Sequence, residues 1–315
     1  MRNLLASLAA ALAMAAAVTT AQAWWDAGHM QIAAVAYKSL TPQAKERADA
    51  LLRLNPDYAK WTAGAPDDAT AKQWAFAHAA TWADDIKLRP YGYTRDAATS
   101  ATAGQNIGYA DRNQHDYWHY KDVPFSPDGT PLLPSNPVDA VTQLRLMVEA
   151  LPATSGASDD IRSYDLVWIL HMIGDVHQPL HAVARFTREL PTGDRGGNAE
   201  MVIPATGETI TLHAYWDRVF GGYVSPFGAI FDAEAQDGIG RLDANPELAK
   251  IVDPERWIEE SAALARTYAY AAPVGNGANA VPLTREYETN ARNIARSQAA
   301  LAAARLANLL NAAFQ

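Results

Sequence analysis

Two histidine–aspartate pairs in the chain share one spacing: His171 with Asp175, and His213 with Asp217. Four residues apart on a helix, both side chains of a pair project from one face. The first pair lies in residues 167–181, VWILHMIGDVHQPLH, whose helical part is apolar almost all the way round and so belongs in a core. An unpaired carboxylate there is expensive, and a metal ion resolves the cost for both residues. A lone buried His–Asp pair is more often a hydrogen-bonded pair than a metal site. The recurrence shifts the balance, because two pairs plus His181 supply five nitrogen or oxygen donors. Zinc favours mixtures of imidazole and carboxylate, and with no cysteine in 315 residues the donor set suits a catalytic rather than a closed structural site. His29, Asp84 and His119 are further candidates upstream, enough for three ions.

Helices must position these donors. Apolar residues recur at helical spacing over 32–40 and 44–54, with Thr41-Pro42 as N-cap and first-turn proline between them. Further helices are predicted over 72–86, 138–151, 161–176, 254–270 and 285–313, and His213 to Asp217 should form one helical turn. Residues 89–137 are rich in Gly, Pro, Asn and Asp and read as a long loop region held by function or metal. One β-hairpin is expected, 200–203 with 209–212, turning through Ala205-Thr206-Gly207. The expected fold is therefore all-α, a mostly helical single domain over 24–315 with at most a small β-hairpin.

Composition narrows the function. The chain is 49% hydrophobic and 19% charged, with 35 acidic and 26 basic residues and a formal charge of −9. That is the wrong sign for passive attraction to nucleic acid or anionic lipid, so a polyanionic substrate would have to be drawn in by something other than side-chain charge. Without cysteine there is no disulfide, thiolate metal site or cysteine nucleophile. Residues 1–23 read as a secretory signal: Arg2, an apolar stretch over 4–18, and Ala21-Gln22-Ala23 as the cleavage site. The apolar run is at or below the length that spans a bilayer, so no membrane anchor is expected and the mature protein, periplasmic or secreted, should begin at Trp24.

The ordered motifs resemble the zinc-dependent single-strand-specific nucleases of fungi, plants and bacteria, whose superfamily also holds the bacterial zinc phospholipases C. They are Trp24 with His29, Trp82-Ala83-Asp84, His119-Tyr120-Lys121-Asp122, the run from His171 through Gly174-Asp175 to His181, Asp194-Arg195-Gly196-Gly197-Asn198, and Leu212-His213 with Trp216-Asp217. This resemblance implies three zinc ions. One would take Asp84, His119, His171 and Asp175, a second His181, His213 and Asp217, and the third His29, a shared Asp175, and the amine and carbonyl of Trp24. The amine exists only after the signal is removed. In the family Asp122 orients or deprotonates the attacking water, and Lys87, where Arg is usual, stabilises charge at the phosphate without a bidentate fork. Tyr120 corresponds to a base-stacking position.

The implied activity is hydrolysis of single-stranded DNA or RNA to 5′-phosphorylated products, with 3′-nucleotidase action and a hydroxide bridging two zincs as nucleophile. A monomer is expected. Two other readings compete. A zinc phospholipase C would place Glu where this chain has Asp217; a non-catalytic zinc-binding protein would need neither Asp122 nor Lys87. Other residues have plainer expectations: His78 and His115 at the surface or in hydrogen bonds, His177 supporting the site or the core, Asp85 solvated, Asp194 capping a loop, and Asn198 either touching substrate or closing the Gly196-Gly197 turn.

Overall fold

The computed structural model describes residues 24–275 and 279–315, so the signal expected over 1–23 lies outside the described residues. Helix α1 (Asp26–Lys38) is followed by α2 (Pro42–Leu52), which starts where Thr41 accepts from the Ala44 amide, with proline in the first turn. Short α3 (Tyr58–Trp61) leads to α4 (Asp68–Ala79), capped by Asp67, and α5 (Trp82–Asp85). After a long irregular segment come α6 (Ala140–Ala150), opened by an Asp139/Thr142 capping box, and α7 (Asp159–Val176), capped by Ser158. The chain closes with α8 (Leu212–Asp217), α9 (Pro226–Glu234), α10 (Pro246–Ala249), α11 (Pro254–Leu264) and the 29-residue α12 (Arg285–Ala313).

The architecture is mostly helical, as expected. Every residue of α7 from Arg162 to Val176 is buried. A helix without a polar face needs neighbours all round, and α1, α2, α4, α5, α6, α11 and α12 supply them. The core so formed contains Trp24, Trp82, Trp118, Trp168, Trp216 and Trp257, and the Trp168 ring packs edge-on against His119 of the His/Asp cluster. No helix among the described residues is long and apolar enough to cross a membrane.

The β-structure exceeds one hairpin. Strands β1 (Val123–Phe125) and β2 (Val183–Arg185) pair in parallel, Val123 opposite Val183. The expected hairpin is β3 (Met201–Ile203) against β4 (Ile210–Thr211), antiparallel with Met201 opposite Thr211, its turn carried by Gly207 at φ +80°. Strand β5 (Val281–Pro282) then joins β3 in parallel. Strands of two or three residues are too short to show alternation, which is why the sequence pattern misses them.

Two helices also differ from expectation. The helix predicted over 72–86 is broken at Ala80–Thr81, where Asp84 N donates to Thr81 O and leaves the Ala80 carbonyl outside the helical ladder. The helix predicted over 254–270 ends as α11 at Leu264 and continues as one wide π-type turn over Ala265–Ala269.

Candidate metal centre

Three histidines of the cluster have one ring nitrogen committed to a backbone carbonyl. His171 Nδ1 lies 2.7 Å from the Ala80 carbonyl, the group released by the break between α4 and α5. His181 Nδ1 lies 2.8 Å from His119 O, and His213 Nδ1 2.7 Å from Gly196 O. A carbonyl only accepts, so each Nδ1 carries a proton, and in the neutral imidazoles of His181 and His213, both lowered by burial, each Nε2 is then a bare lone pair. Nevertheless Nε2 of His181 and Nε2 of His213 face one another at 3.1 Å. Two acceptors do not hold that distance unaided; a cation between them satisfies both. The Oδ2 of Asp217 completes the group, 3.5 Å from His213 Nε2. Its Oδ1 accepts from Gln178 Nε2 at 2.7 Å.

The other donors converge beside this group. His171 Nε2 is 2.9 Å from His119 Nδ1, 3.1 Å from Asp175 Oδ2 and 3.8 Å from Asp84 Oδ2. His119 Nδ1 is 2.9 Å from Asp175 Oδ2 and 3.9 Å from Asp84 Oδ1. The His29 ring stacks on His171 with centroids 3.9 Å apart, its Nε2 3.3 Å from Asp175 Oδ1. Both ring nitrogens of His29, His119 Nε2 and Asp175 Oδ1 are buried without a hydrogen bond. Gly174 makes room for that stack, since a Cβ there would sit 2.7 Å from His29 Nδ1. Trp24 is fully buried nearby and its indole donates to Gly174 O at 3.0 Å. Three sets of ligand atoms lie close enough to hold an ion: His29/Asp84/His171, His119/His171/Asp175 and His181/His213/Asp217. Bare imidazole nitrogens, orphaned buried polar atoms and three carboxylates in one core fit divalent metal.

The titration behaviour agrees. Burial lowers His29 and His119 to about 4, helped by His171 beside the first and Lys87 beside the second. Burial and then His181 lower His213 to about 3, so all three stand neutral and able to ligate at neutral pH. His171 is instead raised to about 8, because Asp175 and Asp84 outweigh its burial. Burial pushes Asp217 far up, whereas Asp175 is held well down because His171 and bonds from the surrounding imidazoles overcome the same burial.

The remaining predicted residues lie on or beside the segments that carry the cluster. Lys87 Nζ is buried and sits 2.7 Å from Asp84 Oδ1. Pairing of β1 with β2 sets Asp122 near His181, through Lys121 N donating to His181 O at 3.0 Å. The Asp122 carboxylate has no hydrogen-bond partner among the described residues, and burial, with Asp194 and Asp139 adding repulsion, raises it to about 7. Tyr120 is half-buried, its hydroxyl 3.4 Å from Asn136 Nδ2. Asn198 Nδ2 donates to Arg195 O at 2.9 Å, so its amide closes the turn.

Among the plainer expectations, His78 Nε2 lies 3.2 Å from Val224 O. His115 is fully buried between Asp111 and Asp96, and His177 lies in the core with Nε2 2.8 Å from Arg305 Nη1. Asp194 holds its loop, accepting from Arg185 N and Tyr270 Oη. Asp85 departs from expectation. It is half-buried rather than solvated, bonded by Thr81 Oγ1 at 3.2 Å, and burial raises it to about 6.

Sequence reasoning missed Gln178, which orients Asp217, although it stands inside the Gln-Pro-Leu-His run. It also missed the carbonyls of Ala80, His119 and Gly196. No curated protein matches the chain in sequence. A family model described as S1/P1 Nuclease matches residues 24–315.

Proposed function

From the premise that this chain belongs to the S1/P1 nuclease family, and is therefore an enzyme that hydrolyses nucleic acid, we propose a secreted or periplasmic, monomeric three-zinc phosphodiesterase. It cleaves single-stranded DNA and RNA to 5′-phosphorylated products and removes phosphate from 3′-nucleotides. Asp84, His119, His171 and Asp175 would hold one zinc, His181, His213 and Asp217 the second, and His29, Asp175 and the Trp24 amine and carbonyl the third. The single observation that carries this reading is the pair of bare Nε2 atoms of His181 and His213 facing at 3.1 Å. Removal of residues 1–23 would create the Trp24 amine. Bound zinc supplies Lewis acidity, neutralising phosphate charge and making water a nucleophile near neutral pH.

The chain's own groups do the rest. Asp122, without a hydrogen-bond partner among the described residues and raised to about 7 by burial, accepts a proton from the water that attacks phosphorus. The P–O3′ bond then breaks as the new P–O bond forms, leaving phosphate on one product, and the departing oxygen takes a proton from solvent to become the 3′-hydroxyl of the other. Lys87 keeps a fixed positive charge on Asp84 at the edge of the cluster, adding to the field that the phosphate meets. The Tyr120 ring offers a face to an unpaired base, worth roughly 1–3 kcal/mol and indifferent to base identity. Asn198 serves by holding the Gly196-Gly197 turn.

Elemental analysis of the purified mature protein, with N-terminal sequencing and cleavage of single strands beside a 3′-mononucleotide, tests the proposal. Three zinc per chain, a Trp24 start and both activities are expected. Fewer zinc ions, or release of 3′-phosphorylated products, would refute it.

A further inference from the structure

The basic residues on the ligand-bearing segments are nearly all engaged. Lys87 is on Asp84, Lys121 on Glu255, and Arg218 on Glu208 with its guanidinium over the Trp25 ring. Arg195 differs. It is exposed, and its side chain makes no ion pair or hydrogen bond with any described residue. Its backbone is also unusual for a residue with a side chain, at φ +55° in the left-handed region.

The surrounding loop fixes that conformation. Asp194 is tied to Arg185 N at 2.8 Å and to Tyr270 Oη at 2.6 Å. The Arg195 carbonyl receives both Asn198 N, at 3.3 Å, and Asn198 Nδ2, at 2.9 Å. Gly196 and Gly197 press the loop onto the ligand segments: a Cβ on Gly196 would lie 2.3 Å from Leu180 O, and one on Gly197 3.3 Å from Leu212. The next carbonyl, Gly196 O, orients His213. A strained residue is thus held by four separate tethers, one position away from the carbonyl that sets a proposed ligand, and its cation is left unspent. Strain persists only where surroundings over-determine it, and such positions cluster at functional sites.

We propose that Arg195 binds a non-scissile phosphate of the single-stranded substrate, one nucleotide removed from the bond that is cut. This rests on the single-strand reading above. Chemically, the guanidinium offers a planar fork to phosphate oxygens, and Arg195 stands one residue before Gly196, whose carbonyl orients His213, so it lies beside the proposed ligands rather than among them and suits a neighbouring phosphodiester rather than the reacting one. Asn198 holds the Arg195 carbonyl through both its backbone and side-chain nitrogens. The contact would make the enzyme prefer oligonucleotides to the shortest substrates.

The mature zinc-loaded enzyme tests this with Arg195→Asn, whose residue tolerates left-handed backbone without charge, and Arg195→Lys, which keeps the charge. Hydrolysis of a dinucleoside monophosphate, which holds only the scissile phosphate, is compared with hydrolysis of a trinucleotide. For Arg195→Asn the loss in kcat/KM on the trinucleotide should exceed that on the dinucleoside monophosphate by roughly three- to ten-fold, seated mainly in KM, and Arg195→Lys should recover part of it. Independently, binding of a short phosphorothioate oligothymidylate is measured against salt. The slope of log affinity on log salt should flatten by about 0.7 in Arg195→Asn, the release of one counterion from a single strand. Equal losses on both substrates, or an unchanged salt slope, overturn the proposal. If the wild type cleaves neither substrate, the functional reading fails while the salt slope still decides Arg195.

Discussion

Replacing Asp122 by Asn should slow turnover severely and yet raise the stability of the metal-free protein above neutral pH. Burial, then Asp194 and Asp139, raise the Asp122 carboxyl to about 7. In an unfolded chain its pKa is about 3.9. Between those values the folded state binds more protons than the unfolded state, so stability is highest below about 3.9, falls as pH rises, and is fully lost above 7. Three units at 1.36 kcal/mol each bound the effect at about 4 kcal/mol. Residual exposure of the residue and solvent screening reduce that to roughly 1–2 kcal/mol. Asn carries no charge to ionise. At pH 8 the chelated variant should therefore melt a few degrees above the chelated wild type, and the gap should close by pH 4.

In the zinc-loaded enzyme the same substitution should lower kcat by roughly 10²–10⁴, the worth of a positioned proton acceptor, with zinc content retained and the acid limb of the kcat/KM profile gone. Calorimetry at the two pH values, elemental analysis and single-strand cleavage rates are the assays. A variant that cleaves at the wild-type rate, or melts below wild type at pH 8, refutes the reasoning. Loss of zinc in the variant would make Asp122 a metal ligand instead.

Chelation should abolish cleavage and lower the melting midpoint together, because the bare Nε2 atoms of His181 and His213 and the carboxylates of Asp84, Asp175 and Asp217 then face one another without a cation; an unchanged midpoint in calorimetry would mean that the metal is only catalytic. Asp175→Asn should lose zinc, activity and stability as one event, since its oxygens face His29 on one side and His119 and His171 on the other; full zinc occupancy by elemental analysis would contradict this. Gln178→Leu removes the donor to Asp217 Oδ1 without touching a proposed ligand, so zinc affinity measured by competition with a chelator should fall by roughly 10- to 100-fold. An unchanged affinity would make Gln178 a packing residue.

Much of this architecture was readable from spacing. The His171–Asp175 and His213–Asp217 pairs do lie on α7 and α8, and α12 runs over the residues predicted. What escaped was short or irregular. The parallel β1–β2 pair has three residues per strand and joins segments about sixty residues apart, so no local pattern marks it. The break after α4 falls in an alanine-rich run, Ala79-Ala80-Thr81, where propensity favours continuing the helix. Tertiary demand prevails there, because His171 takes the Ala80 carbonyl that an unbroken helix would have used.

The carbonyl acceptors explain why residue types alone could name candidate ligands but not sort all histidines. Every residue carries a carbonyl, so nothing in the sequence marks Ala80, His119 or Gly196 as special; each is freed by irregular backbone, at a helix break, after a short helical turn, and in a glycine loop. His177 shows that the carbonyl bond is not sufficient. Its Nδ1 also donates to a carbonyl, that of Ile173 at 2.7 Å, and it stands two residues after Asp175. Yet its Nε2 receives a hydrogen bond from Arg305, itself paired with Glu260 on α11, so the lone pair is already satisfied and α12 is fastened to the end of α7. The proposed ligands His171, His181 and His213 have the same Nδ1 arrangement, but their Nε2 atoms meet only other proposed ligands, imidazole nitrogens or carboxylate oxygens. The residue facing Nε2, set by packing from distant segments, therefore separates a histidine that fastens helices from one that can bind metal.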